Sequence, residues 1–309
     1  MSARWTDGNT TADGPAGQPS EPATPEAIHV TTDGNVTFVI RLLEHDDPTV
    51  PVALILPAMG MKAKFYRPLA KALFTAGLSA ATCDLRAQGE SAPGLREQPT
   101  FGYRELLEVD LPAILVALRA RLPQAPVYLF GHSLGGQLAL LYAASAPKEI
   151  SGACVIATSS VYWRSFVPRH RLGAFWKGQI IGMVSRIRGY WPGGMVIAAP
   201  MAAGVMTDWA RHIRNGRYQP HGTKRDYDAA LRTFDLPVLV ISLDGDPLGP
   251  RSNVDFLCGK MSNAEVTRWH IEDGSGVTVH DHFVWIRSSD IIGSAAATWI
   301  TKGSLPAGT

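Results

Sequence analysis

The sequence predicts an α/β protein: a mainly parallel β-sheet with helices on both faces, broken once by an inserted helical segment. Short apolar runs alternate with amphipathic stretches along most of the chain, the pattern of successive βαβ units. Several of the runs, VALIL at 52–56 among them, are apolar at every position, as a strand covered on both faces requires. The alternation stops between about residues 160 and 235, a gap too long for a plain loop.

The first 27 residues mix Thr, Gly, Pro, Asp and Ser and read as a flexible tail with too little apolar surface to order itself. Order is expected from Ile28. IHVTT, TFVIRLL and VALIL read as strands, separated by Asp33-Gly34-Asn35 and the polar EHDDPT loop. KFYRPLAKALFTAG has helical spacing at Phe65, Leu69, Ala72 and Leu73, with a glycine stop at 77. LSAATC is a strand and ELLEVDLPAILVALRARL a long helix, in which Pro112 predicts a kink or a late start. VYLF, then LGGQLALLYAASA, then GACVIAT give strand, helix, strand. After the gap, LPVLVIS and EVTRWHI are strands, and WIRSSDIIGSAAATWI is a final helix. The expected organisation is a core of 28–159 and 236–309 around an insertion of 160–235.

With 46% hydrophobic and 18% charged residues the chain has material for a sizeable core. A formal charge of +2 gives no global case for nucleic acid. Cys83, Cys154 and Cys258 lie far apart and odd in number, which argues against a disulfide framework or a zinc site. They read as buried thiols in a reducing compartment. No secretory pattern opens the chain, and no run approaches the ~20 apolar residues of a membrane span. The expectation is a soluble, cytoplasmic protein.

Gly131-His132-Ser133-Leu134-Gly135 matches G-x-S-x-G between the strand VYLF and the helix LGGQLALLYAASA, the setting that gives this motif its meaning. There the serine must occupy a strained turn that lifts its hydroxyl clear of the sheet. Side chains at 131 and 135 would collide with the neighbouring strand and helix. A serine hydroxyl needs a base, and the base needs an oriented tautomer. In such sites the acid and then the histidine follow the serine in chain order. The acid is expected in the Leu243-Asp244-Gly245-Asp246-Pro247 turn after LPVLVIS. Asp246 is preferred because the turn must leave the strand before a carboxylate swings back; Asp244 is the alternative. The base is expected in EDGSGVTVHDHF, where His282 at the loop–helix junction is preferred to His280. His270, inside EVTRWHI, reads as structural. Two backbone donors for a developing oxyanion are expected from Leu134 and from Met59 in the Pro57-Ala58-Met59-Gly60-Met61 loop.

The order PAMGM, FYRPLAKAL, CDLRAQGES, FGHSLGG, DGDPLGP, HDHFVWI resembles the α/β-hydrolase superfamily. It is similar in particular to bacterial hydrolases near the serine aminopeptidase S33 and monoacylglycerol lipase-like group. The resemblance runs from about Ile28 to the C-terminal helix. Asp84-Leu85-Arg86-Ala87-Gln88-Gly89-Glu90-Ser91 resembles that family's D-x-R-G-x-G-x-S loop, a structural element, with Ala87 where Gly is usual. Pro57-Ala58 stands where many relatives have His-Gly. This resembles a branch that shares the Asp208-Trp209-Ala210 segment, and it implies hydrolase chemistry without specifying a substrate.

In this fold an insertion at 160–235 implies a lid over the site. Four of the eight tryptophans fall there: Trp163, Trp176, Trp191 and Trp209. The stripe in WKGQIIGMVSRIRGYW is expected either to roof a substrate or to pack the lid onto the core. MAAGVMTDWARHIRNG is expected as a second helix. Twelve Lys and Arg face four Asp in this segment, which suits an anionic acyl substrate or an anionic membrane surface, or simply a solvated face. The expected function is hydrolysis of a carboxylic ester through an acyl-enzyme on Ser133. Thioester or amide cleavage, and acyl transfer, are alternatives that use the same residues. A ligand-binding protein on this scaffold is disfavoured by the intact order Ser, Asp, His. No metal or organic cofactor is implied.

Overall fold

The computed structural model describes residues 24–307. The tail expected over 1–27 therefore lies mostly outside the described residues, and its last two positions, Glu26 and Ala27, already pair in the first strand. The strands are β1 (Glu26–Thr31), β2 (Thr37–Leu43), β3 (Val52–Leu56), β4 (Ser79–Cys83), β5 (Val127–His132), β6 (Gly152–Ile156), β9 (Pro237–Leu243) and β10 (Glu265–Ile271). They form one sheet in the order β1-β2-β4-β3-β5-β6-β9-β10. β1 and β2, and β2 and β4, are antiparallel, and every other pair is parallel. Burial follows position: β3 is buried at all five residues, whereas β2 alternates, with Phe38, Ile40 and Leu42 inward.

Helices cover both faces. α1 (Arg67–Thr75) and α9 (Ser289–Lys302) close one side through Leu69, Leu73, Ile292 and Trp299. The other side carries α2 (Tyr103–Glu105), α3 (Leu111–Arg121) and α4 (Leu134–Ser145), with Leu115, Leu118, Leu138 and Leu141 in its core. A π-turn at Leu106–Asp110 joins α2 to α3. Its wider spacing, immediately ahead of Pro112, absorbs the proline ring and the missing N–H, so the helix continues without a late start. The loop after β4 is pinned to this π-turn. Arg86 donates from Nε to Asp110 Oδ2 at 2.9 Å and from Nη2 to Oδ1, with both residues buried. Asp84 accepts from the Ala63 and Glu90 amides at 2.7 and 2.9 Å. Ala87 has φ +60°, a left-handed conformation, which explains why glycine is usual there.

Between β6 and β9 the chain leaves the sheet. α5 (Pro168–Arg188), a two-stranded ribbon of β7 (Tyr190–Trp191) and β8 (Met201–Ala202), α6 (Ala203–Asn215) and α7 (Tyr227–Thr233) follow in order. α7 lies inside the span expected to be insertion, yet its Tyr227 and Leu231 belong to the α4 side of the main core. It is the crossover helix of the β6–β9 unit, so the excursion proper is shorter than 160–235. Asp208 on α6 caps the turn into α2, accepting from the Tyr103 amide at 3.1 Å and the His221 amide at 2.9 Å. That contact gives the Asp208-Trp209-Ala210 segment a structural role. One further helix, α8 (Arg251–Cys258), was not anticipated.

Candidate active site

β5 ends at the middle of the sheet with His132, and α4 begins after a single intervening residue, at Leu134. Ser133 between them has φ +52° and ψ −115°, a strained conformation for a residue with a side chain. The turn closes only because its neighbours lack a Cβ. One on Gly131 would stand 2.3 Å from Gly136 Cα, and one on Gly135 2.1 Å from the Leu56 carbonyl oxygen. Ser133 therefore sits at the carboxyl end of a central strand, where open α/β sheets hold ligands.

Two distant turns reach this serine. After β9 the chain turns at Asp244-Gly245 and presents Asp246, 2% exposed, whose Oδ1 accepts from the amides of Leu248 and Gly249 at 2.9 and 3.1 Å. After β10 the loop carries His282, also buried. Its Nδ1 lies 2.8 Å from Asp246 Oδ2 and its Nε2 lies 2.8 Å from Ser133 Oγ. The carboxylate accepts, so Nδ1 carries the proton and the Nε2 lone pair faces the serine hydroxyl. The structure thus brings Ser133, His282 and Asp246 into one hydrogen-bonded line. It leaves the alternatives out. His280, at φ +65°, turns its ring away toward Asp273 at 3.7 Å. Asp244 uses its backbone to hold Ile271 and His280, and His270 bonds Ser242 Oγ at 2.9 Å.

In the loop after β3, the Ala58 amide is occupied by Tyr66 Oη at 2.9 Å and the Met61 amide by the Ala58 carbonyl at 3.0 Å. Met59 lines the cavity between them, and its amide and that of Leu134 are the two donors expected for an oxyanion.

Sequence reasoning passed over His132. It is fully buried, with Nδ1 2.7 Å from Tyr66 Oη and Nε2 2.9 Å from the His282 carbonyl. The carbonyl only accepts, so Nε2 holds the proton and Nδ1 accepts from the Tyr66 hydroxyl. Trp285 packs edge-on against the ring, with centroids 5.2 Å apart. The loop after β3 and the loop bearing His282 are thereby joined through one imidazole. Burial holds His132 well below the ordinary histidine range, reinforced by His282. Burial, with Lys260 nearby, takes His212 in α6 down to about 3. Below pH ~6.5 the unfolded chain takes up protons that these two folded sites refuse, so acid favours unfolding. Each site is expected to remove stability by up to ~1.4 kcal/mol per pH unit as pH falls from ~6.5. Urea titrations at neutral and mildly acidic pH measure this slope, and His212→Gln should reduce it. A slope unchanged in that variant contradicts the assignment for His212.

Above the serine opens a cavity of about 890 Å³, within the range of small-molecule sites. Its upper wall comes from the excursion, with Phe166, Val167, Ala174, Ile197, Trp209 and Ile213, and Arg169, Lys177 and Arg251 also line it. Among the described residues no cluster of metal-ligating side chains occurs.

The fold is that of the α/β-hydrolases. The sequence profile of serine aminopeptidase, S33, matches residues 48–187, a little under half of the chain. The biotin biosynthesis bifunctional protein BioHC of Cellvibrio japonicus is 27% identical over 217 residues, 64% of this chain and 42% of that protein. The chain thus spans less than half the length of that relative. A soluble variant of monoglyceride lipase from Saccharomyces cerevisiae, in complex with a substrate analog, superposes with a TM-score of 0.65 at 15% identity, over 95% of this chain and 100% of that one. Est1E from Butyrivibrio proteoclasticus with ferulic acid bound gives a TM-score of 0.60 at 14% identity, over 89% and 98%.

Proposed function

We propose that the protein is a serine hydrolase that cleaves a carboxylic ester of a small molecule through an acyl-enzyme. The observation that carries this reading is the 2.8 Å contact between Ser133 Oγ and His282 Nε2, with Asp246 behind it. Ser133 Oγ attacks the ester carbonyl while its proton passes to His282 Nε2. The carbonyl oxygen takes the negative charge between the Met59 and Leu134 amides, each worth on the order of 3 kcal/mol in the transition state. Collapse breaks the carbon–oxygen bond to the alcohol, which leaves with the proton from His282. Water then gives its proton to His282, attacks the acyl carbon and releases the acid, and the proton returns to Ser133. Asp246 keeps the imidazole in the required tautomer and offsets its charge when protonated. The excursion of α5 and α6 acts as a lid, holding the substrate's apolar part against Phe166, Trp209 and Ile213.

A fluorophosphonate probe tests the reading directly. Native protein is expected to be labelled covalently and Ser133→Ala not at all. Equal labelling of both proteins, or none of the folded native protein, rejects an activated serine at 133.

A further inference from the structure

α5 spans 21 residues and contains no aspartate or glutamate. Its packed side is built from small residues. Gly178, Gly182 and Ser185 are buried together with Ile181. A Cβ on Gly178 would stand 2.4 Å from Ile213 Cδ1 of α6, and one on Gly182 2.5 Å from Ala210 Cβ. Five large apolar side chains point the other way. Leu172, Trp176, Ile180, Met183 and Ile187 are 65, 61, 41, 56 and 77% exposed. At about 100° per residue, their spacing gathers all five into an arc of ~80°, opposite the packed side. Cations frame this stripe: Arg169 at its start, Lys177 on one flank, Arg186 on the other and Arg188 at its end. Among the described residues, no cation of α5 is paired with a carboxylate, whereas Arg211 and Arg217 just beyond it are.

We propose that this outer face of α5 docks on a lipid bilayer with anionic headgroups. The stripe enters the boundary between headgroups and acyl chains, and the flanking cations face phosphates. An apolar arc bordered by Lys and Arg on both sides, with a tryptophan on the apolar face, is the pattern of helices that lie in a membrane interface. A contiguous exposed apolar face of this kind needs a cover. Charge complementarity selects it: a second copy would set two acid-free cationic helices against each other, while an anionic bilayer supplies opposite charge on both flanks at once. Gly173 and Ala174 of the same helix, with Val167 just before it, line the cavity, so docking brings one wall of the cavity down to the lipid surface. The proposal stands independently of the hydrolase reading.

Flotation of the full chain with vesicles tests it. The protein is expected to float with phosphatidylcholine vesicles containing about a third phosphatidylglycerol, and not with phosphatidylcholine alone, and high salt should release it. Trp176→Ser combined with Met183→Ser should lower the partition by about tenfold or more, with melting temperature and fluorophosphonate labelling unchanged. Failure of the native protein to bind either vesicle overturns the proposal, as does binding unaffected by the double variant. A concentration-dependent dimer in sedimentation, abolished by the same variant, assigns the face to a second copy instead and equally overturns it.

Discussion

Ser133→Ala is expected to lower kcat/KM on a simple ester by ~10⁴ or more, and His282→Ala to do nearly the same, with the double variant no worse than either. The effects do not add because each removes the same unit: an oxygen without a base is not a nucleophile, and a base without the oxygen has no proton to take. Neither variant should unfold the protein. Without the imidazole, Asp246 still accepts from the Leu248 and Gly249 amides, and the His282 carbonyl still accepts from His132. Steady-state kinetics with circular dichroism as the folding control checks this. His280→Ala and Asp244→Asn should stay within about threefold of native, because neither side chain joins the line to Ser133. Activity within about tenfold of native in Ser133→Ala or His282→Ala contradicts the roles proposed for them.

Asp110→Ala is expected to cost ~3–5 kcal/mol of stability. The Arg86–Asp110 pair is doubly hydrogen-bonded and lies inside the protein, with side-chain exposures of 7 and 4%. Burial pushes the Asp110 carboxyl up, and the Arg86 guanidinium holds it down against that trend. Removing the carboxylate leaves a guanidinium with only Gln98 Oε1 at 3.3 Å and the Phe101 ring for company, too little to replace a charge partner out of water. Replacing both residues by apolar side chains of similar size should recover much of the loss. Urea denaturation measures it. A change under about 1 kcal/mol in Asp110→Ala means that water or a rearranged partner reaches Arg86.

The features legible in the sequence were those set by local pattern. The buried strands announced themselves as unbroken apolar runs, and G-x-S-x-G between a strand and a helix fixed where the serine turn lies. The choice of His282 over His280 rested on position at a loop–helix junction, and the structure brings His282, not His280, to Ser133. Features set by tertiary contact were not legible. Tyr66 and His132 are 66 residues apart, and nothing near either signals the other. α8 went unseen because its buried side chains are only Asn253, Val254 and Leu257, too few to mark a period. The stripe in α5 is expected to pack the lid or roof the substrate; Ile181 does pack, whereas Trp176, Ile180, Met183 and Ile187 face outward. The interface with α6 selects glycine for close approach at 178 and 182, which leaves most of the helix's large apolar side chains on its outer side.

The stem of the excursion is tied where it enters and leaves. Ser160 Oγ bonds His212 Nε2 at 2.9 Å, and Tyr162 lies against Gly216, where a Cβ would meet its ring at 2.9 Å. Everything between these points returns to its starting place before α7 resumes the sheet's own winding, while Ser133, Asp246 and His282 all lie outside it. The segment that shapes the cavity roof is thus held at its stem, and again where Asp208 accepts from the Tyr103 amide. Side chains that line the roof can therefore change what is admitted, while the residues beneath it keep their geometry.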